Sequence, residues 1–352
     1  MRIRSTSLLC TAALWLSACS ITGPTSVATG RSAYNAIINQ TEDEQFLSMM
    51  VRQRYDETFG MLAVSSVTSS ISSSAAVASD LGVGPRWWYE GSLVPLTLGI
   101  AYEERPTISY VPITGEAFIQ RALEPIRLKD LYLLTRASHH CPQLLTFLIA
   151  RVNGLANFVH GVRKAAPEFR EAMRAFEELH RAGAAALVST GPGDDVAVAI
   201  LDYSANATTV DKLLQPLGIE PPTGSGDSFL IPLRAGVNRQ TDCITIETRS
   251  VVDIIRAAGY FISIPEEHTR EGLVPPSIVG PEEVGQFMRI QSSIDLPKYA
   301  SVATQHRGYW FYIDARDTNS KRSFAVLRLL FGIRFASSHP DGRAPSLTIP
   351  IY

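Results

Sequence analysis

Two short apolar runs decide the fold class: Val196-Ala197-Val198-Ala199-Ile200-Leu201-Asp202-Tyr203 and Cys243-Ile244-Thr245-Ile246-Glu247. Each has the length of a strand, and each is followed by a segment with helical spacing, 210–217 after the first and 249–258 after the second. The alternation continues downstream. Strands are predicted over 260–264 (YFISI), 308–315 (GYWFYIDA) and 347–351 (LTIPI), a helix over 320–335, and a Gly/Pro-rich connection over 218–228. Strands interleaved with helices predict a mixed α/β part over 191–352, entered through the turn-forming run Ser189-Thr190-Gly191-Pro192-Gly193-Asp194-Asp195.

Upstream the period changes. Pro167 at a first helical turn, Phe169, Met173, Phe176 and Leu179 at helical spacing, and Gly183 as a stop predict one helix. Pro142 starts another, with Leu144, Leu145, Leu148, Val152 and Leu155 apolar along it; Leu128–Arg136 is a shorter one, and Thr114 caps one that Pro125 ends. Before this central helical block lies 61–79 (MLAVSSVTSSISSSAAVAS), nearly charge-free and rich in Ser and β-branched residues. With the stretch from Trp87-Trp88-Tyr89 to Ile113 it predicts an antiparallel β-meander of three strands. Thr41 and Glu44 have the spacing of a capping box ahead of Phe46, Met49 and Met50, predicting an N-terminal helix from Thr41 to about Glu57. The chain therefore reads as α+β or mixed α/β, in two parts, 33–190 and 191–352.

Composition narrows the function classes. Of 352 residues 45% are hydrophobic and 19% charged, which suits a globular body. With 32 basic against 34 acidic residues the net charge is -2, so binding to nucleic acid driven by overall charge is excluded.

The N-terminus carries an address. Arg2 and Arg4 precede the apolar run Leu8 to Leu16, then come small residues and a cysteine: Leu16-Ser17-Ala18-Cys19. This segment resembles the signal peptide and lipobox of bacterial lipoproteins, over only the first 20 or so residues. The resemblance implies cleavage after residue 18, a lipid on the Cys19 thiol and an acylated new amine. It also implies, from Ser20, delivery to the periplasmic face of the outer membrane. Residues 19–32, polar and Gly/Pro-containing, read as a lipidated tether. Several acyl chains at about 0.8 kcal/mol per buried CH₂ hold a protein where one chain does not.

Of the four cysteines, Cys10 falls in the signal and Cys19 takes the lipid. Cys141 and Cys243 remain, an even pair in an oxidising compartment and so a candidate disulfide, although Cys141 sits at a helix start and nothing in the sequence places the two close together. Catalytic templates fail one by one. Gly226-Asp227-Ser228 follows Pro221-Pro222 rather than a buried strand and lacks a partner base, and no G-x-S-x-G elbow occurs. Glu177 and His180 have a metal-site spacing without the second such pair the site needs. The one unusual constellation is the aromatic strand entering the polar run 314–322. It nominates Trp310, Asp314, Asp317 and Lys321 as a ligand or partner contact, against the plainer reading of a buried strand followed by a turn in which Thr318 or Asn319 caps the next helix. No metal and no cofactor is expected. The expectation is a non-catalytic binding or assembly module with the membrane and an envelope protein as partners. A periplasmic hydrolase acting on an envelope polymer or ester, its groups drawn from distant positions, is the alternative.

Metabolic labelling with palmitate tests the anchor. The wild-type chain is expected to take up label and Cys19→Ala to take up none; equal labelling of both excludes Cys19 as the attachment point.

Overall fold

The computed structural model of the chain describes residues 22–58, 60–79, 96–113, 116–137, 141–159, 163–191, 193, 195–222, 226–276, 287–335 and 347–350. In chain order the elements begin with α1 (Thr22–Arg54), β1 (Met61–Ser79), β2 (Leu96–Ile113), α2 (Glu116–Leu123), α3 (Leu128–Ala137) and α4 (Cys141–Leu148). Next come β3 (Ile149–Val152), β4 (Leu155–Ala156), α5 (Pro167–Arg181), β5 (Ala185–Ser189), β6 (Val196–Ile200), α6 (Tyr203–Leu217), β7 (Phe229–Ala235) and β8 (Ile244–Thr248). The remainder is α7 (Val251–Gly259), α8 (Glu266–Arg270), β9 (Gln291–Ser293), β10 (Ala300–His306), β11 (Tyr309–Asp314), α9 (Thr318–Phe335) and β12 (Leu347–Pro350). Helices and strands are intermixed, so the chain is α+β.

Contacts divide it into two units, Met1–Gly60 with Thr114–Ser338, and Met61–Ile113 with His339–Tyr352. The larger unit is built on a six-stranded sheet in the order β4-β3-β8-β7-β6-β5, antiparallel except where β7 runs beside β8. Strand β6 is buried at all five positions, as its unbroken apolar sequence requires. Helices α3, α5 and α6 pack on this sheet, with Leu131, Phe176 and Leu213 among the side chains that meet Val198 and Leu233 there. A smaller sheet, β10-β11-β9, packs against α1. The C-terminal part of α1 is buried from Phe46 to Val51 apart from Ser48, and Phe46 meets Phe324 and Phe331 of α9 edge-on, both at 5.5 Å between ring centres.

Asn153 locks the large sheet. With Gly154 it makes the two-residue turn between β3 and β4, both residues at positive φ (+46° and +81°), as the primed hairpin turns demand. The side chain is buried and saturated. Its Nδ2 donates to the carbonyls of Leu217 (2.9 Å) and Gln240 (2.8 Å), and its Oδ1 accepts from the Thr245 amide (2.9 Å) and hydroxyl (3.0 Å). One amide thus ties the end of α6, the loop after β7 and the start of β8 to the turn.

Several expectations change. The N-terminal helix begins at Thr22, not Thr41, and residues from Thr22 on that read as tether are helical; residues 19–21 lie outside the described residues. Thr41 is interior to the helix, and its hydroxyl donates back to the Ile38 carbonyl at 3.0 Å instead of capping Glu44, a choice that spacing alone does not distinguish. The helix from Pro142 stops at Leu148, because the Asn153-Gly154 turn folds Val152 and Leu155 into a hairpin. YFISI is not a strand. Tyr260, Phe261 and Ile262 continue the end of α7 as tight turns, and the segment's ladder pairing is a single bridge to Ile290, made by the Phe261 carbonyl and the Ser263 amide. The expected division at 190/191 falls inside a hairpin, since β5 and β6 pair from Ala185↔Ile200 to Ser189↔Val196, so the chain does not divide there.

The smaller unit is a three-stranded antiparallel sheet in the order β1-β2-β12. Strands β1 and β2 pair from Met61↔Ile113 to Ser79↔Leu96, with a bulge between Val64 and Ser66. The third strand of the expected meander is β12, which pairs with β2 at Thr107–Tyr110; Trp87, Trp88 and Tyr89 lie outside the described residues. Among the described residues no helix is long and apolar enough to cross a membrane.

Replacing Asn153 by Ala removes the side-chain acceptor of the Thr245 amide and a donor to each of the Leu217 and Gln240 carbonyls, and leaves a residue at positive φ without the amide's compensation. Unfolding free energy measured in urea is expected to fall by about 3 kcal/mol; an unchanged midpoint would remove Asn153 from this role.

Candidate functional site

The β10–β11 hairpin turns on Arg307-Gly308, both at positive φ (+47° and +84°), and β9 pairs on the other side of β11, Trp310 opposite Ser293. Between this sheet and α1 lies a groove of about 680 Å³, lined by Gln40, Asp43 and Glu44 of α1, by 296–298 and 300–303, and by Trp310. Burial pushes the Asp43 carboxyl up, against the pull of Arg328, which contacts it at 3.2 Å and also pairs with Glu42. The connection between β9 and β10, whose Leu296 lines the groove, exposes large apolar side chains: Ile294 is 70% accessible, Leu296 60% and Tyr299 52%. A connection carrying three such residues within six positions is a surface that water does not favour.

Of the four nominated contact residues, only Trp310 lines this groove. Asp314, at the far end of β11, accepts from the Arg316 guanidinium at 2.9 and 2.7 Å and from its amide at 2.8 Å, and these bonds hold its carboxyl down at about 2. Asp317 caps α9, accepting from the Ser320 amide at 3.0 Å and hydroxyl at 2.7 Å, so the cap is neither Thr318 nor Asn319. Lys321 donates to the Ala315 carbonyl at 2.6 Å. Three of the four therefore build the polar turn between strand and helix, and the structure does not bring the set together.

Cys243 is a free, buried thiol whose pKa burial pushes up, so the expected bridge to Cys141 is not formed. Cys243 immediately precedes β8 and is fully buried, as free cysteines often are. The Cys141 side chain and Cys19 lie outside the described residues.

Sequence reasoning missed a second cluster, assembled where the end of α1 meets α8 and the β10–β11 turn. The Tyr55 hydroxyl is 2.6 Å from His268 Nδ1, and the Tyr55 ring lies edge-on to His306 at 4.8 Å. Glu57 takes the Arg307 guanidinium at 3.0 and 2.8 Å and approaches His306 Nε2 at 3.3 Å, a contact too far off-axis to count as a directed hydrogen bond. Tyr309 donates to Glu267 at 3.0 Å. Burial pushes the Tyr55 phenol to about 12 and lowers His306, which the Glu57 carboxylate only partly offsets. Burial would raise Glu57, but the Arg307 hydrogen bond and the charges of His306, Arg307 and Arg52 outweigh it and hold the carboxyl below its usual range. A phenol moved away from neutrality is the opposite of an activated nucleophile or base. Tyr55 with His268, Glu57 with Arg307, and Tyr309 with Glu267 pair with one another, as a latch between three elements. Contributions from 55–57, 267–268 and 306–309 share no spacing rule, and Arg307-Gly308 as a turn was the one local signal.

Among the described residues no group of His, Cys, Asp and Glu is arranged to hold a metal ion. The chain matches no known protein family, no curated protein and no solved structure.

The latch is acid-sensitive. Both His306 and Glu57 bind protons more weakly in the fold than in the unfolded chain, so protons favour unfolding. The His306 contribution is complete above its ordinary value of 6.5 and lost as the pH falls through it, and the Glu57 contribution is lost below 4.5. The melting temperature is expected to drop as the pH falls below about 6.5, and His306→Gln to flatten that drop. An unchanged slope in the variant would show that His306 is not its source.

Proposed function

We propose that this chain is a lipid-anchored cell-envelope protein facing the periplasm, a non-catalytic binding or assembly module that holds an envelope protein partner beside Trp310. The observation that carries this reading is the groove of about 680 Å³ lined by Leu296 and Trp310, with Ile294 and Tyr299 also exposed on the connection that carries Leu296. Interfaces draw their energy from such aromatic and aliphatic anchors set among polar groups, and here α1 supplies Gln40 and Glu44 on one wall. Near-balanced charge favours a protein over a nucleic acid as the partner. The lipobox-like Leu16-Ser17-Ala18-Cys19 supports the anchor and the compartment.

A periplasmic hydrolase is the second reading. In its favour stands the assembly of Tyr55, His268, His306 and Glu57 from distant segments. Against it stand the raised phenol and the mutual pairing of those groups.

A photo-reactive residue at Leu296 is expected to cross-link one discrete envelope protein in cells, and the same residue at Asp211, on α6, to cross-link none. The double substitution Ile294→Glu, Leu296→Glu is expected to reduce that adduct about tenfold at unchanged protein level, in line with the loss of two interface anchors. Loss of envelope function in Tyr55→Phe with the adduct intact would favour the hydrolase instead.

A further inference from the structure

We propose that the β1–β2 hairpin is a membrane-inserting element, one face laid against the acyl chains of a bilayer and its edges closed by hairpins of neighbouring copies into a multichain β-barrel. Three backbone facts carry this. The first is length: 18 and 19 residues per strand far exceed the strands of ordinary globular sheets. The charged triplet Glu103-Glu104-Arg105 divides the hairpin, and the distal register from Ile71↔Glu104 to Ser79↔Leu96 spans nine positions. A strand that crosses hydrocarbon needs about 9–11 residues.

The second is the register. Residues paired across an antiparallel ladder share a face, and faces alternate along the strand. One distal face collects Ile71, Val77, Leu96, Leu98, Ile100 and Tyr102, interrupted by Ser73 and ending at Ser79, with Glu104 at the proximal boundary. The opposite face collects Ser72, Ser74, Ala76, Ala78, Thr97, Gly99 and Ala101, with Glu103 beside the same boundary. Large apolar residues on one side and small or hydroxylated ones on the other is the division between lipid and lumen in barrel walls. The lone Glu104 falls at the end of the nine positions, at the level of an interface rather than of the hydrocarbon.

The third is the edges. Strand β12 covers β2 only at Thr107–Tyr110, so among the described residues the distal part of the hairpin is a two-stranded ribbon with both edges open. From Met61 to Ser79 the outer strand contains no charge, proline or glycine, the devices that normally blunt an edge. Hydrocarbon tolerates no open edge, so a ribbon of this kind enters a bilayer only as part of a closed ring. A two-stranded ribbon in water is marginal, and a face-to-face pair of hairpins would cover the apolar face while leaving every edge open.

The inference goes beyond the tethered binding module and does not require the lipid. Its test uses the full chain carrying Cys10→Ala, Cys19→Ala, Cys141→Ala and Cys243→Ala, with single cysteines introduced in turn, each bearing an environment-sensitive fluorophore. The probe surface is vesicles of phosphatidylethanolamine and phosphatidylglycerol containing a lipid-borne quencher. On vesicle addition Ile71→Cys, Val77→Cys, Leu98→Cys and Ile100→Cys are expected to shift to the blue and be quenched, whereas Ser72→Cys, Ser74→Cys, Thr97→Cys and Ala101→Cys stay unchanged. A retained signal segment inserts without producing that alternation, so failure of lipidation and failure of the hairpin are separable. In the chain carrying Cys19→Ala, which cannot take the lipid, Leu98→Glu is expected to lower vesicle flotation about tenfold and Ser74→Glu to leave it within about twofold. The detergent-extracted species is expected to contain several copies. Absence of alternation overturns the proposal, as does alternation already present without vesicles, which assigns the face to a second copy; a single extracted copy overturns the ring.

Discussion

One primary amide holds the larger unit in register. Asn153 lies at a positive φ that most residues avoid, and its side chain makes four hydrogen bonds to three other segments. The Thr245 amide, buried at the start of β8, takes the Asn153 oxygen at 2.9 Å, and losing a buried acceptor costs more than the net worth of an exposed hydrogen bond. Because the partners belong to α6, to the loop after β7 and to β8, the order of the sheet and the seating of α6 depend on the same few atoms. The buried apolar surface supplies stability without direction; this node fixes which strand lies next to which.

How much of this was legible follows from the reach of each signal. The short runs 196–200 and 244–248 carry their strand character locally, and Pro167 with Gly183 brackets α5 because both act through the backbone of their own residues. Val152 and Leu155 misled because apolar spacing fits a helix until the intervening Asn153-Gly154 is weighed as a hairpin turn, which is the stronger signal. Thr41 and Glu44 misled because a hydroxyl near a helix serves as a cap or as a back-bonding interior residue with the same neighbours.

The site was legible only in part, for the same reason. Trp310 was found from its aromatic run, but the residues with it, Asp43 and Leu296 among them, arrive from segments hundreds or tens of positions away. Asp314, Asp317 and Lys321 looked like a convergent polar group and proved to be the machinery of a strand-to-helix turn, each satisfied within a few residues. Dense local charge more often closes a turn than opens a pocket. The Tyr55, His268 and His306 cluster makes the complementary point, since three segments with nothing unusual in their own sequence meet where burial raises the Tyr55 phenol and lowers His306.

The irregularity between Val64 and Ser66 acts as a phase shifter. Read along the chain, the bulky residues of β1 occupy even positions at Leu62 and Val64 but odd positions at Val67, Ile71 and Val77. An unbroken ladder would scatter them over both surfaces of the ribbon. The one residue of slack at Ser65 brings the two series onto a common side, where Tyr110 and Ile108 of β2 pair with Val64 and Val67, and Leu347 and Ile349 of β12 pair with those same two residues in turn. A single inserted serine thereby puts the bulky residues of two half-length patterns on one side of the ribbon.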